Sequence, residues 1–298
     1  MAKIQVKGVI PPMITPFKEN GDVDYDAHRH NMELWNESEL DGYLVLGSNS
    51  EAAYLTEDEK IEMLKVTVRK ARKGRIILAG TGMESTRETI NLTKKAADAG
   101  ADAVLVLTPF YYSDKMNDEA LISFFSQVAD NVTIPVLIYN VTKFTHINIS
   151  ARAVAKLSEH PNIIGMKDSS GNIPQLVTFK SVAAEDFNLI VGTASAWYPA
   201  LTLGVKAGIM ALANITPGGC TQVQNAYERG DYEEACKIYE RLFPVNTAIT
   251  NTYGVAGLKY AANLLGYKGG FVRSPLLPVN EEEKSKIRGI LQRSELIA

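Results

Sequence analysis

Ile163-Ile-Gly-Met-Lys167 is a short apolar run closed by a lysine, too brief for a helix and bounded by the polar stretch Asp168-Ser-Ser170. A run with no polar face reads as a strand covered on both sides. Seven further runs share the pattern, at 8–15, 42–46, 75–79, 103–107, 135–139, 188–191 and 208–213. Each is rich in Val, Ile and Leu and ends at a Gly, Pro, Thr, Ser or Asn turn signal. The stretches between them are long enough for crossover helices. Thr56-Glu-Asp-Glu59 opens one as a capping box, with Thr56 as N-cap, Glu59 reaching back, and Ile61, Leu64 and Val68 marking the apolar face. Strands buried on both faces belong to parallel βαβ units, and eight of them predict an α/β fold, a (β/α)8 TIM barrel, over residues 1–230. An open doubly wound sheet competes, but no G-x-G-x-x-G or Walker turn accompanies the strands. Residues 231–298 read as three helices, 232–242, 252–265 and 281–296, a C-terminal helical appendage and not a second catalytic domain.

The 298 residues are 46% hydrophobic and 22% charged, and the net charge of −3 is spread without like-charge blocks. A chain of this kind buries a large core and offers neither a nucleic-acid arm nor a membrane-surface patch, so a small-molecule partner is expected. Cys220 and Cys236 are too few for a disulfide framework. His28, His30, His146 and His160 are scattered without metal-ligand spacing, so neither a metal nor a cofactor is expected, and a metal-dependent aldolase is disfavoured. No apolar stretch reaches the length of a membrane span, residues 1–7 lack a signal-peptide run, and the expected location is cytoplasmic.

In a barrel the chemistry gathers at the C-terminal ends of the strands. Lys167 ends its run there. Facing an apolar wall, its ammonium would be disfavoured, leaving a neutral amine able to attack a carbonyl; the ordinary alternative is a strand-end pair with Asp168. Tyr139 ends the preceding strand and would sit beside it, either as a proton shuttle or as an aromatic strand residue bonded to backbone. Gly47-Ser-Asn-Ser-Glu51 is a small-residue turn suited to an anion or simply to a helix N-cap. Thr108-Pro-Phe-Tyr-Tyr112 is unusually aromatic for a loop and suits a subunit interface or a site wall.

Together with Ala79-Gly-Thr-Gly82 and Gly165-Met-Lys-Asp168, these motifs occur in the order, and with the 28-residue step from Tyr139 to Lys167, of the dihydrodipicolinate synthase and N-acetylneuraminate lyase family, which the chain resembles over nearly its whole length. The resemblance implies a homotetramer, a dimer of dimers, of class I lyases that hold pyruvate or another 2-keto acid as a Schiff base. Carried over by position, Lys167 is the imine-forming lysine and Tyr139 the proton shuttle. Ser48 and Asn49 fall at the carboxylate-binding pair, with Ser48 able to join Tyr139 in proton transfer. Tyr111 matches the tyrosine inserted across a dimer interface, and Gly192 and Met210 match the pyruvate pocket.

Three departures bear on substrate. Asn49 replaces a hydroxyl usual in the synthases. Ser50 stands where the related Gly-Ser-Asn-Gly-Glu turn has glycine. Thr142-Lys-Phe144 stands where the synthases have Pro-Ser-Arg, and Phe144 cannot pair with a carboxylate as that arginine does. The Ser-Asn pair, Ala211-Leu-Ala-Asn214 and Gly254-Val-Ala-Gly-Leu-Lys259 look most like 4-hydroxy-2-oxoglutarate aldolase and 2-keto-3-deoxy sugar acid aldolases. The leading expectation is therefore reversible cleavage of a 4-hydroxy-2-oxo acid to pyruvate and an aldehyde. The alternatives are dihydrodipicolinate synthase chemistry on pyruvate and aspartate semialdehyde, a dehydratase of 2-keto-3-deoxy sugar acids, and a non-catalytic keto-acid sensor.

Overall fold

A computed structural model describes residues 4–298. Eight strands alternate with helices: β1 Gly8–Ile10, β2 Gly42–Val45, β3 Ile76–Gly80, β4 Ala103–Leu107, β5 Val136–Asn140, β6 Ile163–Asp168, β7 Asn188–Val191 and β8 Ala207–Ile209. All pair in parallel, in the order β1-β8-β7-β6-β5-β4-β3-β2. The ring closes between β1 and β2 through Pro11 to Met13: Leu44 donates its N–H to Pro11 and Met13 donates to Leu44. This is the expected (β/α)8 barrel, followed by the C-terminal helices.

Two apolar layers explain why the strands show no polar face. Ile10, Leu44, Leu78, Leu105, Leu137, Tyr139, Ile164, Ile190 and Ile209 pack together inside the ring. Val9, Val45, Ile77, Val104, Ile138, Met166 and Val191 pack outward under the helices. The helix Glu57–Lys70 begins with the capping box of Thr56 and Glu59, both reciprocal bonds formed.

Some boundaries differ from the sequence expectation, each for a local reason. β1 stops at Ile10, well before Thr15, because Pro11 and Pro12 bring no N–H to a ladder. The run after β8 leaves the sheet at Met210 and coils into a 3-10 turn, Ala211–Asn214. There Asn214 bonds its side chain to the backbone of Pro12, Ile14 and Ala211. The helix Tyr232–Thr247 runs past Pro244 because Val245 and Asn246 are buried against the barrel, and it continues as a π-helical turn, Ala248–Thr252. Gly254–Leu264 and Glu281–Arg293 complete the C-terminal helices.

Candidate active site

Lys167 and Tyr139 are direct register partners on β6 and β5. Strict alternation from Ile163, which packs outward, would point Lys167 outward as well. A one-residue register shift intervenes: Val136 pairs with Ile163, but Leu137 pairs with Gly165. Ile164 is the extra residue, and this bulge reverses the parity of the strand and turns Lys167 into the barrel. Lys167 is 3% exposed, and its Nζ lies 4.3 Å from the centroid of the Tyr139 ring.

The neighbouring Asp168 takes the opposite face. Its carboxylate accepts from Asn140 Nδ2 at 2.8 Å and from the Ser170 hydroxyl at 2.6 Å. Asn140 in turn accepts the N–H of Ile149 at 3.1 Å and so shapes the loop after β5. Among the described residues Lys167 has no carboxylate within ion-pair distance, and the strand-end Lys-Asp pair does not form.

The Tyr139 oxygen lies 3.3 Å from the Ser48 hydroxyl. Burial pushes the phenol up, but the Lys167 charge, the hydrogen bond with Ser48 and the nearby Ser169 and Lys167 side chains outweigh burial and leave it below its ordinary value. Ser169 was not singled out in the sequence. Its hydroxyl is buried without an aligned hydrogen-bond partner, yet it lies close enough to act on Tyr139. The signal was its position two residues after Lys167, just past the end of β6.

Gly192 is adjacent: a Cβ there would fall 1.8 Å from Ser169 Oγ and 2.9 Å from Lys167 Cε. Only a glycine leaves that room. Ser48 and Asn49 ride on a 3-10 turn, Ser48–Ser50, between two residues in the left-handed region, Leu46 at φ 63° and Glu51 at φ 52°. Ser50 therefore needs no positive φ; its hydroxyl instead donates to the Met13 carbonyl at 2.5 Å.

Three expected residues stand apart. The Met210 side chain turns to the outer layer, toward Gly208 and Trp197, and does not join the inner layer that carries Tyr139. Phe144, in the short helix Thr142–Thr145, is 53% exposed, and Lys143 beside it donates to the Thr250 carbonyl at 2.6 Å. Tyr111 is 74% exposed with its ring against Tyr112, while the N–H groups of Phe110 and Tyr111 both donate to Glu84. A polar cleft of about 500 Å³, lined by residues including Lys7, Asp41, Arg75 and Glu228, opens at the other end of the barrel. Among the described residues no three His, Cys, Asp or Glu side chains converge as a metal site, and no helix is long and apolar enough to cross a membrane.

A family model described as the dihydrodipicolinate synthetase family matches residues 5–294. The chain belongs to this family. It is a pyruvate-dependent enzyme of the class I, Schiff-base type, which makes or breaks carbon–carbon bonds. Members similar to it include the 4-hydroxy-tetrahydrodipicolinate synthases of Methanothrix thermoacetophila, 33% identical over 96% of each chain, and of Acidiphilium cryptum, 35% identical over 98% of this chain and 99% of the other. Among solved family structures, the chloride-inhibited dihydrodipicolinate synthase from Acinetobacter baumannii, complexed with pyruvate, superposes with a TM-score of 0.93 at 29% identity, covering 98% of this chain and 100% of that one.

Proposed function

We propose that Lys167 forms an imine with pyruvate and that the resulting enamine adds to, or is released from, an aldehyde. The observation that carries this reading is the inward-facing Lys167 held against Tyr139 with no carboxylate partner. In its deprotonated form the Lys167 amine attacks the keto carbon. Tyr139, with Ser48 at 3.3 Å, takes up and returns the protons as water leaves the carbinolamine. Ser48 and Asn49 receive the carboxylate, Gly192 gives the keto acid room beside Lys167, and Met210 contributes backbone only. Tyr111 completes the neighbouring subunit's site in a homotetramer, for which the exposed Phe110, Tyr111 and Tyr112 supply the contact surface. Residues 1–230 carry the chemistry, residues 231–298 brace it, and the enzyme works in the cytoplasm, in keeping with its two free cysteines.

Two aldehyde partners are supported by different observations. The names of the relatives favour condensation of pyruvate with aspartate semialdehyde, ahead of the retro-aldol reading drawn from the sequence. The site favours retro-aldol cleavage of a 4-hydroxy-2-oxo acid whose aldehyde product carries no carboxylate, as in the 2-keto-3-deoxy sugar acids, because Phe144 offers no charge to a second carboxylate and Lys143 is engaged by Thr250. Borohydride reduction with pyruvate is expected to add mass to the peptide containing Lys167, and Lys167→Ala to abolish both labelling and turnover. An unlabelled peptide refutes the imine. Rates with pyruvate plus aspartate semialdehyde, set against pyruvate release from 4-hydroxy-2-oxo acids, decide between the partners.

A further inference from the structure

Two buried charges take no part in the chemistry above. The side chains of Glu51 and Lys259 are 1% and 2% exposed, and Lys259 Nζ lies 2.5 Å from Glu51 Oε1. The contact is an ion pair without aligned hydrogen-bond geometry. The ammonium donates its aligned bond to the Phe271 carbonyl at 2.6 Å and sits 4.5 Å from the centroid of the Phe17 ring. The other carboxylate oxygen of Glu51 accepts the Arg273 N–H at 2.8 Å. The Arg273 guanidinium also stacks on Phe17, 4.4 Å from its centroid, and forks onto Glu59, the capping residue of the helix Glu57–Lys70. Taking two charges out of water is costly, and well-packed apolar side chains of similar volume often serve stability as well. A pair at this depth therefore calls for a role beyond filling the core.

That role lies in the turn that carries Ser48 and Asn49. The Glu51 N–H closes the turn onto the Ser48 carbonyl at 3.1 Å, and Glu51 itself holds a left-handed conformation disfavoured for a residue with a Cβ. A single 3-10 turn between two left-handed residues has little rigidity of its own. Side chains anchor it at two points: the Ser50 hydroxyl on Met13, and the Glu51 carboxylate on Lys259 and Arg273.

We propose that Lys259, on the C-terminal helix Gly254–Leu264, is a positioning residue for the keto-acid site: by holding Glu51 it fixes Ser48 and Asn49 in the geometry that receives the substrate carboxylate. The inference rests on the proposed role of those two residues. It gives the C-terminal helices a part in substrate binding, alongside the Lys143 bond to Thr250.

The test is a pyruvate titration of borohydride labelling at Lys167, run at a temperature where each variant is folded by circular dichroism. Lys259→Met is expected to raise the half-saturating pyruvate concentration roughly tenfold while leaving the labelled fraction at saturation unchanged, a signature of lost carboxylate binding with the amine intact. Because Lys259→Met strands a buried carboxylate and can unfold the chain, the double variant Glu51→Gln with Lys259→Met removes both charges. It is expected to melt near the wild type yet keep the raised half-saturation. A double variant that regains wild-type melting and wild-type saturation together, or a folded Lys259→Met that saturates like the wild type, overturns the positioning role alone. A wild-type protein that takes no label overturns the imine reading and this inference with it.

Discussion

Gly192→Ala tests the geometry of the site with the smallest possible addition. The new Cβ would lie 2.9 Å from Lys167 Cε, where ordinary contact begins at 3.4 Å, so the lysine chain must move by about 0.5 Å. It would also lie 1.8 Å from Ser169 Oγ, forcing that hydroxyl to another rotamer and away from Tyr139. Overpacking of this kind costs about 1–3 kcal/mol, or a few degrees of melting temperature in a chain this long. A misplacement of about 1 Å at a reacting group is worth roughly a hundredfold in rate, so half of that predicts roughly a tenfold loss. The assay is the rate of borohydride-trapped imine formation at saturating pyruvate, alongside thermal melting. Gly218→Ala is the control: a Cβ there meets nothing within 4 Å, and the position lies in the helix Pro217–Glu228, so neither rate nor melting should fall. Wild-type trapping by Gly192→Ala would show that this glycine does not border the reacting amine.

Two other outcomes follow from buried groups away from the mouth. His28 is fully buried with Nε2 2.9 Å from Thr67 Oγ1, and burial pulls its imidazole from 6.5 down to about 4. The unfolded chain takes up this proton near its ordinary value and the folded chain only near 4, so stability is full above that ordinary value and falls as pH drops between the two, by about 3 kcal/mol in all. His28→Leu should flatten the decline of melting temperature over this window; an unchanged slope would assign the acid sensitivity elsewhere. Cys220 is buried, with its thiol pushed up to about 12, whereas Cys236 is partly exposed. Iodoacetamide should therefore modify the native protein at Cys236 and reach Cys220 only on unfolding, which peptide mass mapping reads directly.

The barrel was legible in the sequence because its physics is local. Strands covered on both faces must be apolar throughout, and all eight runs have that character without consulting any distant residue. The capping box at Thr56 needed four residues to recognise and formed as read. Boundaries were less legible. β1 was drawn too long across Pro11 and Pro12, and the helix from Tyr232 too short, ending at 242 where the structure carries it through Pro244 to Thr247. There tertiary burial overrode a local signal.

Within the site, the sequence supplied Lys167, Tyr139 and the Ser48 turn as chemistry at strand ends, but not the direction in which the lysine points. That direction depends on the bulge at Ile164, and only pairing with β5 shows that one residue of β6 is left over. The same limit hid Ser169, whose importance comes from lying beside Gly192, just past the end of β7. It hid the link from Glu51 to Lys259 as well, since charges far apart in a chain carry no mark of partnership until the fold buries them together. Composition and periodicity specify which surfaces must leave water. Parity, register and long-range pairing arise only when the strands and helices meet.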